Sequence, residues 1–499
     1  MFHLVDQSTP SIHATCIASN WNTLHGSSSR TLPFSPLSLS QRISFPNGQR
    51  KPSDLTMNKN QTFIKRADSW PDFPTPKSLS TAGFGNPNCV EQLLVHCATA
   101  IETNDPTLAQ QILWVLNNMA PPDGDSSQRL TSSFLRALIT RAARTGSCKL
   151  LSAVAKAGGA DLTTASHKFS IIELAGFVDL TPWHRFGFTA ANAAVLEAIE
   201  GYTVVHVVDL SLTHCMQIPT LIDSIAARLD PPPLFKLTVA GATEDYPPLL
   251  DLSYDELGVK LVNFASSRNV AMEFRVIPSS SSNGFSSLIE HLRLQQLIRD
   301  ENNEALVINC HMMLHYLPEE ALILGSSPDT TASSLISFDE SPNNNSLRTM
   351  FLESLRNLNP TIVVLVDEDA DFTSNTLVNR LRSAYNYLWI PYDTVDALLP
   401  KGSIQRRWYE TDICWKIENV ISREGPQRVE RVETKSKWVH RKREACFGEV
   451  AFSEDAITEV NNMLDEHAAG WGLKKEEDDH LVLTWKGHNT VFATAWTPV

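Results

Sequence analysis

The sequence is poor in cysteine, and no two of its cysteines are closely spaced. Eight cysteines are scattered over 499 residues, and no CxxC pair occurs among them. Structural zinc sites need closely spaced cysteine or histidine pairs, so a zinc-binding domain is disfavoured. No signal-peptide pattern is found either, and we therefore expect reduced, intracellular thiols.

Long hydrophobic runs and an excess of positive charge are also missing. No stretch approaches the roughly 18 consecutive apolar residues that cross a bilayer, so a membrane-spanning protein is not expected. The formal net charge is −14, whereas a surface that coats nucleic acid is usually basic. Any contact with DNA would have to come from a local basic patch.

Residues 1–85 are rich in serine, proline and asparagine and show no sustained hydrophobic period. This composition predicts a disordered tail. Between Asp6 and Asp54 there are basic residues but no acidic ones, a bias that transit peptides share. No clear amphipathic helix accompanies it, so a flexible tail is favoured over a transit peptide.

Helical spacing begins near Asn88. Val90, Leu94 and Cys97 recur at intervals of three and four residues, and proline-containing breaks follow at 104–106 and 121–122. The region from Lys168 onwards continues with helical patterns. We therefore predict an all-helical cap over residues 86–200.

Strand and helix patterns alternate over residues 201–499. The predicted strands are residues 204–210, 235–240, 272–277, 305–309 and 362–367. The spacing of Leu257, Leu261 and Phe264 favours a helix over a further strand. Two β-rich runs near the end flank Lys-Gly-His-Asn and indicate a hairpin. This order predicts an α/β fold with a methyltransferase-like, Rossmann-type doubly wound sheet and a C-terminal antiparallel hairpin.

The first predicted strand ends at Asp209, at the edge where doubly wound sheets bind their ligands. A loop that binds a cofactor there is normally rich in glycine, but residues 209–219 contain none. Leu212, Met216 and Ile218 would fill the space instead. We therefore expect no cofactor, and an S-adenosylmethionine-dependent methyltransferase is the least favoured alternative.

Polar residues around this loop have two interpretations. Asp209 could contact a ribose or activate a nucleophile, or it could accept bonds from loop amides or cap the next helix, which is favoured. His206 lies in an apolar strand and is expected to be a core histidine. His214 and Cys215 are adjacent, but nothing orients one as a base for the other.

Acidic residues follow two other predicted strands. Glu244 and Asp245 follow the second strand, and residues 367–369 with Asp371 follow the fifth. Carboxylates can bind metal ions, but consecutive side chains point in different directions. Charged loops at the edge of the sheet are therefore favoured over a metal site.

The main basic stretch covers residues 423–443. Acidic residues are interleaved in its first half, which favours structural ion pairs for Arg428, Arg431 and Glu433. The second half is a candidate nuclear-import signal or DNA contact, formed by Lys435, Lys437, Arg441, Lys442 and Arg443. Large aromatics dominate protein cores, and we expect this role for most of Trp438, Trp471, Trp485 and Trp496.

Several motifs together resemble the plant-specific GRAS family of transcriptional regulators. VHVVDLSLTHCMQIPTLIDSIA is similar to the VHIID motif of that family, with His206, Asp209, Gln217 and Pro219 as expected structural residues. EQLLVHCATAIETNDPTLAQQIL and FTAANAAVLEAIEG resemble the first leucine-rich region, and LGVKLVNFASSRNVAMEFRVI resembles the second. RRWYETDICWKIENVISREGPQRVERVETKSKWVHR resembles the PFYRE region, and GWGLKKEEDDHLVLTWKGHNTVFATAWTP resembles the SAW motif.

The resemblance covers the chain from about Cys89 to Val499, and THCMQI departs from the usual motif in the manner of one scarecrow-like branch. It implies a helical cap and an α/β core, residues 86–499 forming one domain, in a nuclear regulator that binds other proteins. The implied partners are DNA-binding factors such as indeterminate-domain zinc-finger proteins, and other GRAS proteins in homo- or heterodimers. Direct sequence-specific DNA binding is the alternative. No enzymatic activity is implied.

Overall fold

The computed structural model describes residues 87–144, 167–228, 231–241, 244, 246–319, 346–476 and 480–499. The predicted tail, residues 1–85, lies outside these ranges, and so does its alternative as a transit peptide. The described residues all belong to one compact unit.

Helix starts follow from local sequence. Asp105 accepts a hydrogen bond from the amide of Leu108 at 3.0 Å, and Pro106 opens the helix. Ser170 and Ser253 each form a capping box with a glutamate three residues later. The helices are α1 (Pro87–Glu102), α2 (Pro106–Met119), α3 (Ser126–Arg144), α4 (Ile171–Asp179), α5 (Pro182–Ala198), α6 (Ile218–Arg228), α7 (Tyr254–Ser267), α8 (Ser286–Gln296), α9 (Leu347–Arg356), α10 (Leu377–Leu398), α11 (Ile404–Ser422), α12 (Lys435–Glu444) and α13 (Glu454–Asp465).

The strands confirm the predicted sheet. They are β1 (Lys168–Phe169), β2 (Val204–Ser211), β3 (Leu234–Gly241), β4 (Leu249–Leu250), β5 (Met272–Pro278), β6 (Glu304–His311), β7 (Ile362–Glu368), β8 (Phe447–Val450), β9 (Trp471–Lys475), β10 (Leu481–Trp485) and β11 (His488–Pro498). All five predicted parallel strands are present, as β2, β3, β5, β6 and β7, and each extends slightly beyond its predicted bounds. The segment around Val259 is helical, as its spacing predicted.

The main sheet has the order β5-β3-β2-β6-β7-β11-β10-β9, and β8 also pairs with β11. The five neighbouring strands β5, β3, β2, β6 and β7 are parallel, and β11 is antiparallel to β7. The hairpin turn is shorter than predicted, because only Lys486 and Gly487 separate its strands. Both have positive φ, as a two-residue turn of the I′ type requires.

The sequence missed a small second sheet. Strand β1 pairs in parallel with β4, although the pattern from Lys168 onwards predicted a helix. Strand β1 is only two residues long, and helix α4 begins at Ile171, so the periodic residues belong to α4 and α5. A two-residue strand leaves no periodic signal for sequence analysis to find.

The helical layer is built from two distant parts of the chain. Helices α10 and α11, which follow β7, pack against α1 and α3. Leu94 of α1, Leu138 of α3 and Leu381 of α10 are fully buried. The boundary predicted at residue 200 between cap and core remains a prediction, but helices on both sides of it make this layer. None of the helices in the described ranges combines the length and apolar character needed to cross a membrane.

Candidate functional site

The carboxyl end of β2 is tied to the neighbouring strand by side-chain hydrogen bonds. The parallel register places Asp209 beside Asn309 of β6, and Asn309 Nδ2 donates to Asp209 Oδ1 at 2.7 Å. Ser211 Oγ donates to Asp209 Oδ2 at 2.5 Å. Asp209 is 3% exposed, and burial raises its pKa. These side-chain donors replace the loop amides or helix cap that the sequence predicted, and a structural role for Asp209 stays a prediction.

The network continues through the motif residue Gln217. Its Oε1 accepts from Asn309 Nδ2 at 3.0 Å, and its Nε2 donates to Asn192 Oδ1 of α5 at 2.9 Å. Asn192 in turn donates to Thr220 Oγ1. Pro219 is buried in the first turn of α6. The chain of bonds joins β2, β6, α5 and α6, so the polar groups are occupied in holding the elements together.

The cavity beside Asp209 has a volume of only about 10 Å³. That space holds about one water molecule, and S-adenosylmethionine does not fit. Its walls include Tyr246, Phe285 and Met313. Sequence analysis expected Leu212, Met216 and Ile218 to fill this space. Met216 and Ile218 are buried, but none of the three lines the cavity.

The missed wall residues belong to segments after other strands. Tyr246 follows β3, and Phe285 follows β5. Since the carboxyl ends of parallel strands meet at one edge, apolar residues just after these strands were a signal that could have found them. Tyr246 also stacks on Tyr316, with ring centroids 4.0 Å apart.

Two histidines of the VHIID-like segment, His206 and His214, make contacts inside the protein. His206 lies 2.9 Å from Thr238 Oγ1 through Nε2, which fits the predicted core role. His214 Nε2 bonds the carbonyl oxygen of Pro248 at 2.9 Å. Burial raises the pKa of the Cys215 thiol well above its usual value. His214 and Cys215 therefore form no nucleophile and base pair.

A buried histidine pair was missed by the sequence. His184 Nδ1 of α5 lies 3.2 Å from His311 Nε2 at the end of β6. Burial lowers the pKa of His184 to about 3 and lowers that of His311 well below its usual value. Both rings are neutral at pH 7, so the pair links α5 to the sheet without carrying charge.

The end of β7 holds a buried ionic cluster instead of the predicted charged loop. Asp367 and Glu368 are the last residues of β7, and both are buried. His315 Nδ1 lies 2.7 Å from Asp367 Oδ1. Burial disfavours the charged ring of His315, but the charge and hydrogen bond of Asp367, with the charge of Glu430, raise its pKa. Lys416 Nζ lies 2.6 Å from Glu368 Oε2.

Glu430 connects this cluster to the segment after α11. Tyr316 donates its hydroxyl proton to Glu430 Oε1 at 2.8 Å, and Lys416 Nζ lies 3.8 Å from Glu430 Oε2. Asn419 Oδ1 accepts from the Glu430 amide. Within the described ranges, no group of three histidine, cysteine or acidic side chains is arranged to hold a metal ion.

Side chains in the first half of the basic stretch are bonded to other groups of the protein. Arg428 donates to the carbonyl of Phe372 at 2.8 Å, and Arg431 donates to the carbonyl of Arg428 at 2.9 Å. Glu433 Oε2 lies 3.0 Å from Arg348 Nη1, a guanidinium that is fully buried. The sequence predicted ion pairs alone for these residues, but the structure shows both ion pairs and hydrogen bonds to backbone carbonyls.

The second half forms helix α12, and the helix separates the cations that the sequence placed in one row. Lys442 is buried, and Lys435 is largely buried against Glu476. Arg441 pairs with Glu433 and Glu319. Lys437 pairs with Asp371 at 2.8 Å, and Arg443 pairs with Glu449 at 2.5 Å. Nuclear import or DNA contact by these residues remains a prediction, and only Lys437 and Arg443 among them are substantially exposed.

The tryptophans of the C-terminal motifs are packed. Trp438, Trp485 and Trp496 are buried, and Trp471 is half-buried. Trp485 Nε1 donates to Asp393 Oδ2 at 2.7 Å, and Trp471 lies against it with ring centroids 4.8 Å apart. These contacts fit the core role predicted from the sequence.

The protein has a doubly wound sheet with a filled ligand edge and an attached helical layer. This architecture defines a Rossmann-like fold. The chain belongs to the GRAS domain family, whose model matches residues 90–497. It is 58% identical to Scarecrow-like protein 32 of Arabidopsis thaliana over 429 residues, which cover 86% of this chain and 97% of that protein. The family resemblance predicted from the motifs is confirmed.

Two further comparisons extend this result. Protein SHORT-ROOT of Arabidopsis thaliana is 28% identical over 439 residues, covering 85% of this chain and 76% of that protein. The crystal structure of SCL7 in Oryza sativa matches with a TM-score of 0.60 and 22% identity, over 82% of this chain and 99% of that one. This structure supports the fold. The family and its relatives together indicate transcription regulation in plant development.

Proposed function

We propose that the protein is a nuclear regulator of transcription that acts mainly through contacts with other proteins and is not an enzyme. The carrying observation is the closed ligand edge of the sheet. Asp209 is bonded to Asn309 and Ser211, and the adjoining cavity measures about 10 Å³. A cofactor-dependent enzyme of this fold needs that space, so its loss supports a scaffold.

The proposed partners are DNA-binding transcription factors, among them indeterminate-domain zinc-finger proteins, and other GRAS chains in homo- or heterodimers. The surface offers apolar residues at the end of α8. Leu294, Leu297 and Ile298 are 59%, 82% and 87% exposed. Exposed apolar clusters of this kind are typical of protein contact surfaces. We include this cluster in the test of the proposal.

The test compares the tagged full-length chain with two double variants in plant nuclear extracts. The wild type should co-purify with DNA-binding proteins, since it works through them. Leu297→Glu with Ile298→Glu should recover them several-fold less, because charge opposes desolvation of the apolar contact. Ile172→Glu with Met350→Glu, at exposed apolar positions outside the leucine-rich segments, is the matched control and should behave like the wild type.

Direct DNA binding is the second candidate, and the exposed Lys437 and Arg443 favour it. The same purified chain separates the two. If the chain binds duplex DNA sequence-specifically without any partner, its affinity should fall steeply with salt. The double variant Lys437→Gln with Arg443→Gln should then lose this binding. Such a result would replace the first proposal. The first proposal would also be contradicted if the chain is found only in the cytosolic fraction and co-purifies with no DNA-binding protein.

A further inference from the structure

A second, much larger cavity lies in the helical layer. Its volume is about 360 Å³, and its walls come from the start of α3, from Tyr392 of α10 and from the start of α11. Small-molecule sites typically have volumes of about 300–1,000 Å³. Arg406, Arg407 and Glu410 of its wall belong to the segment that resembles the PFYRE region, but the regulatory role proposed above assigns no ligand to this cleft.

The cleft carries an excess of positive charge in an acidic protein. Five cationic side chains and two carboxylates line it, and Asp396 adds a third carboxylate beside two of the arginines, whereas the whole chain has a net charge of −14. The cationic residues are Arg129, Arg136, Lys401, Arg406 and Arg407. Low-dielectric walls around charges of one sign concentrate a local field. The cleft is therefore suited to an anion.

Two of these arginines are held in place before any ligand arrives. Arg129 and Arg406 are both buried. Arg129 Nε lies 2.9 Å and Arg406 Nε 3.0 Å from the same oxygen of Glu410. Asp396 Oδ1 pairs with both guanidinium groups. Arg129 also donates to the carbonyl oxygen of Gly124 and Arg406 to that of Leu399, so each guanidinium nitrogen is bonded within the protein and the two arginines form the fixed base of the cleft.

The exposed cations lie around this fixed centre. Lys401 and Arg407 are exposed, and Arg136 is half-buried. If the cluster only held the helices together, the ion pairs among Arg129, Arg406, Asp396 and Glu410 would be sufficient. It would need neither an open volume of this size nor further cations along its walls.

The backbone adds to the same field. Helices α3 and α11 are each 19 residues long, and both begin at the cleft, where Gly124 and Ser403 are wall residues. The amino-terminal end of a helix carries a partial positive charge and favours anions. The helix ends therefore add to the positive field that the arginines produce in the cleft.

We propose that this cleft binds a small molecule that carries more than one phosphate group. The planar guanidinium fork of the exposed Arg407 can pair with two phosphate oxygens at once. The volume and the spread of the cations exceed what a single phosphate needs. Hydroxyl groups of Ser132 and Thr411, which also line the cleft, can donate to remaining phosphate oxygens.

The test uses the full-length chain and inorganic tripolyphosphate, with binding measured by titration calorimetry and thermal unfolding. Tripolyphosphate should bind and raise the unfolding temperature, while inorganic phosphate should bind more weakly. Lys401→Gln with Arg407→Gln should weaken tripolyphosphate binding about tenfold or more, a change that corresponds to about 1.4 kcal/mol. Both side chains are exposed, so the variant should fold normally.

The matched control, Arg293→Gln with Lys474→Gln, removes the same charge at exposed positions outside the cleft. It should bind tripolyphosphate like the wild type. Equal losses in both double variants would mean general attraction of polyanions and would overturn the proposal. The absence of tripolyphosphate binding would overturn it too, as would duplex DNA that binds through Lys401 and Arg407 when tripolyphosphate does not.

Discussion

Lys442 shows how a buried charge acts at the scale of one residue. Its side chain is 1% exposed, and its ammonium lies 4.9 Å from the centre of the Trp496 ring. Within the described ranges its Nζ has no hydrogen-bond partner. Burial lowers the pKa of Lys442 to about 7, although the next residue in sequence, Arg443, is an exposed cation.

Replacing this lysine by an apolar residue of similar length, Lys442→Met, should stabilise the protein at pH 7 by about 1–4 kcal/mol. The unfolded chain keeps its proton up to a pKa of about 10.4, whereas the folded chain loses it near pH 7. The unfolded state thus binds more protons, and wild-type stability rises with pH between these values. The gain from methionine should therefore shrink at pH 9, as measured by denaturant unfolding.

Lys437→Met is the control for this prediction, because Lys437 is exposed and pairs with Asp371 at the surface. Its free energy of unfolding should change by about 0.5 kcal/mol or less. A Lys442→Met protein that is less stable at pH 7, or equally stabilised at both pH values, would contradict the assignment of a costly buried amine.

At the scale of elements, helix α5 packs closely on the sheet at Gly187. A Cβ atom there would lie 2.5 Å from Val366 Cγ1 and 2.7 Å from His311 Cε1. Both neighbours are fully buried, so neither can move aside easily. The hydrogen-bonded pair of His184 and His311 sits at the same contact, and the absence of a side chain at 187 permits it.

Gly187→Ala should therefore destabilise the protein by about 1–3 kcal/mol through overpacking, measured as a shift in the denaturant midpoint. Gly176→Ala in α4 is the matched control, since a Cβ there meets no atom within 4 Å. It should be neutral or stabilising by up to about 1 kcal/mol, because alanine favours helix over glycine. Equal effects of the two changes would show that close packing at Gly187 is unimportant.

At the scale of the whole molecule, the helical layer and the sheet depend on each other. Helices α10 and α11 follow the sheet strand β7 but bury their apolar residues against α1 and α3. Arg129 of α3 and Glu410 of α11 form an ion pair although 281 residues separate them. Helix α5 also packs on β7 and β11. Removing the first helices would expose the apolar faces of α10 and α11.

We therefore expect a fragment of residues 201–499 to aggregate or to lack cooperative unfolding, whereas residues 87–499 should unfold in one transition. The reason is that the apolar surface of α10 and α11 would be left uncovered. Circular dichroism and calorimetry on both fragments check this. A stable, cooperatively unfolding 201–499 fragment would show that the sheet forms an independent domain.

The sequence by itself determined the five parallel strands and their approximate bounds, the closing hairpin and the family. Buried parallel strands leave continuous apolar runs, and turns leave glycine and asparagine. The missing glycines after β2 predict that no cofactor binds there, and this stays a prediction. These features are local, so neighbouring residues encode them.

Only the tertiary structure decided which distant residues meet. It brought Tyr246, Phe285 and Met313 to the cavity beside Asp209, and it buried Lys442 while leaving Lys437 at the surface. It also placed Arg129 and Arg406 around Glu410 to form a basic cleft. Such contacts join segments far apart in the chain, and their energy depends on burial and on partners that no local pattern specifies.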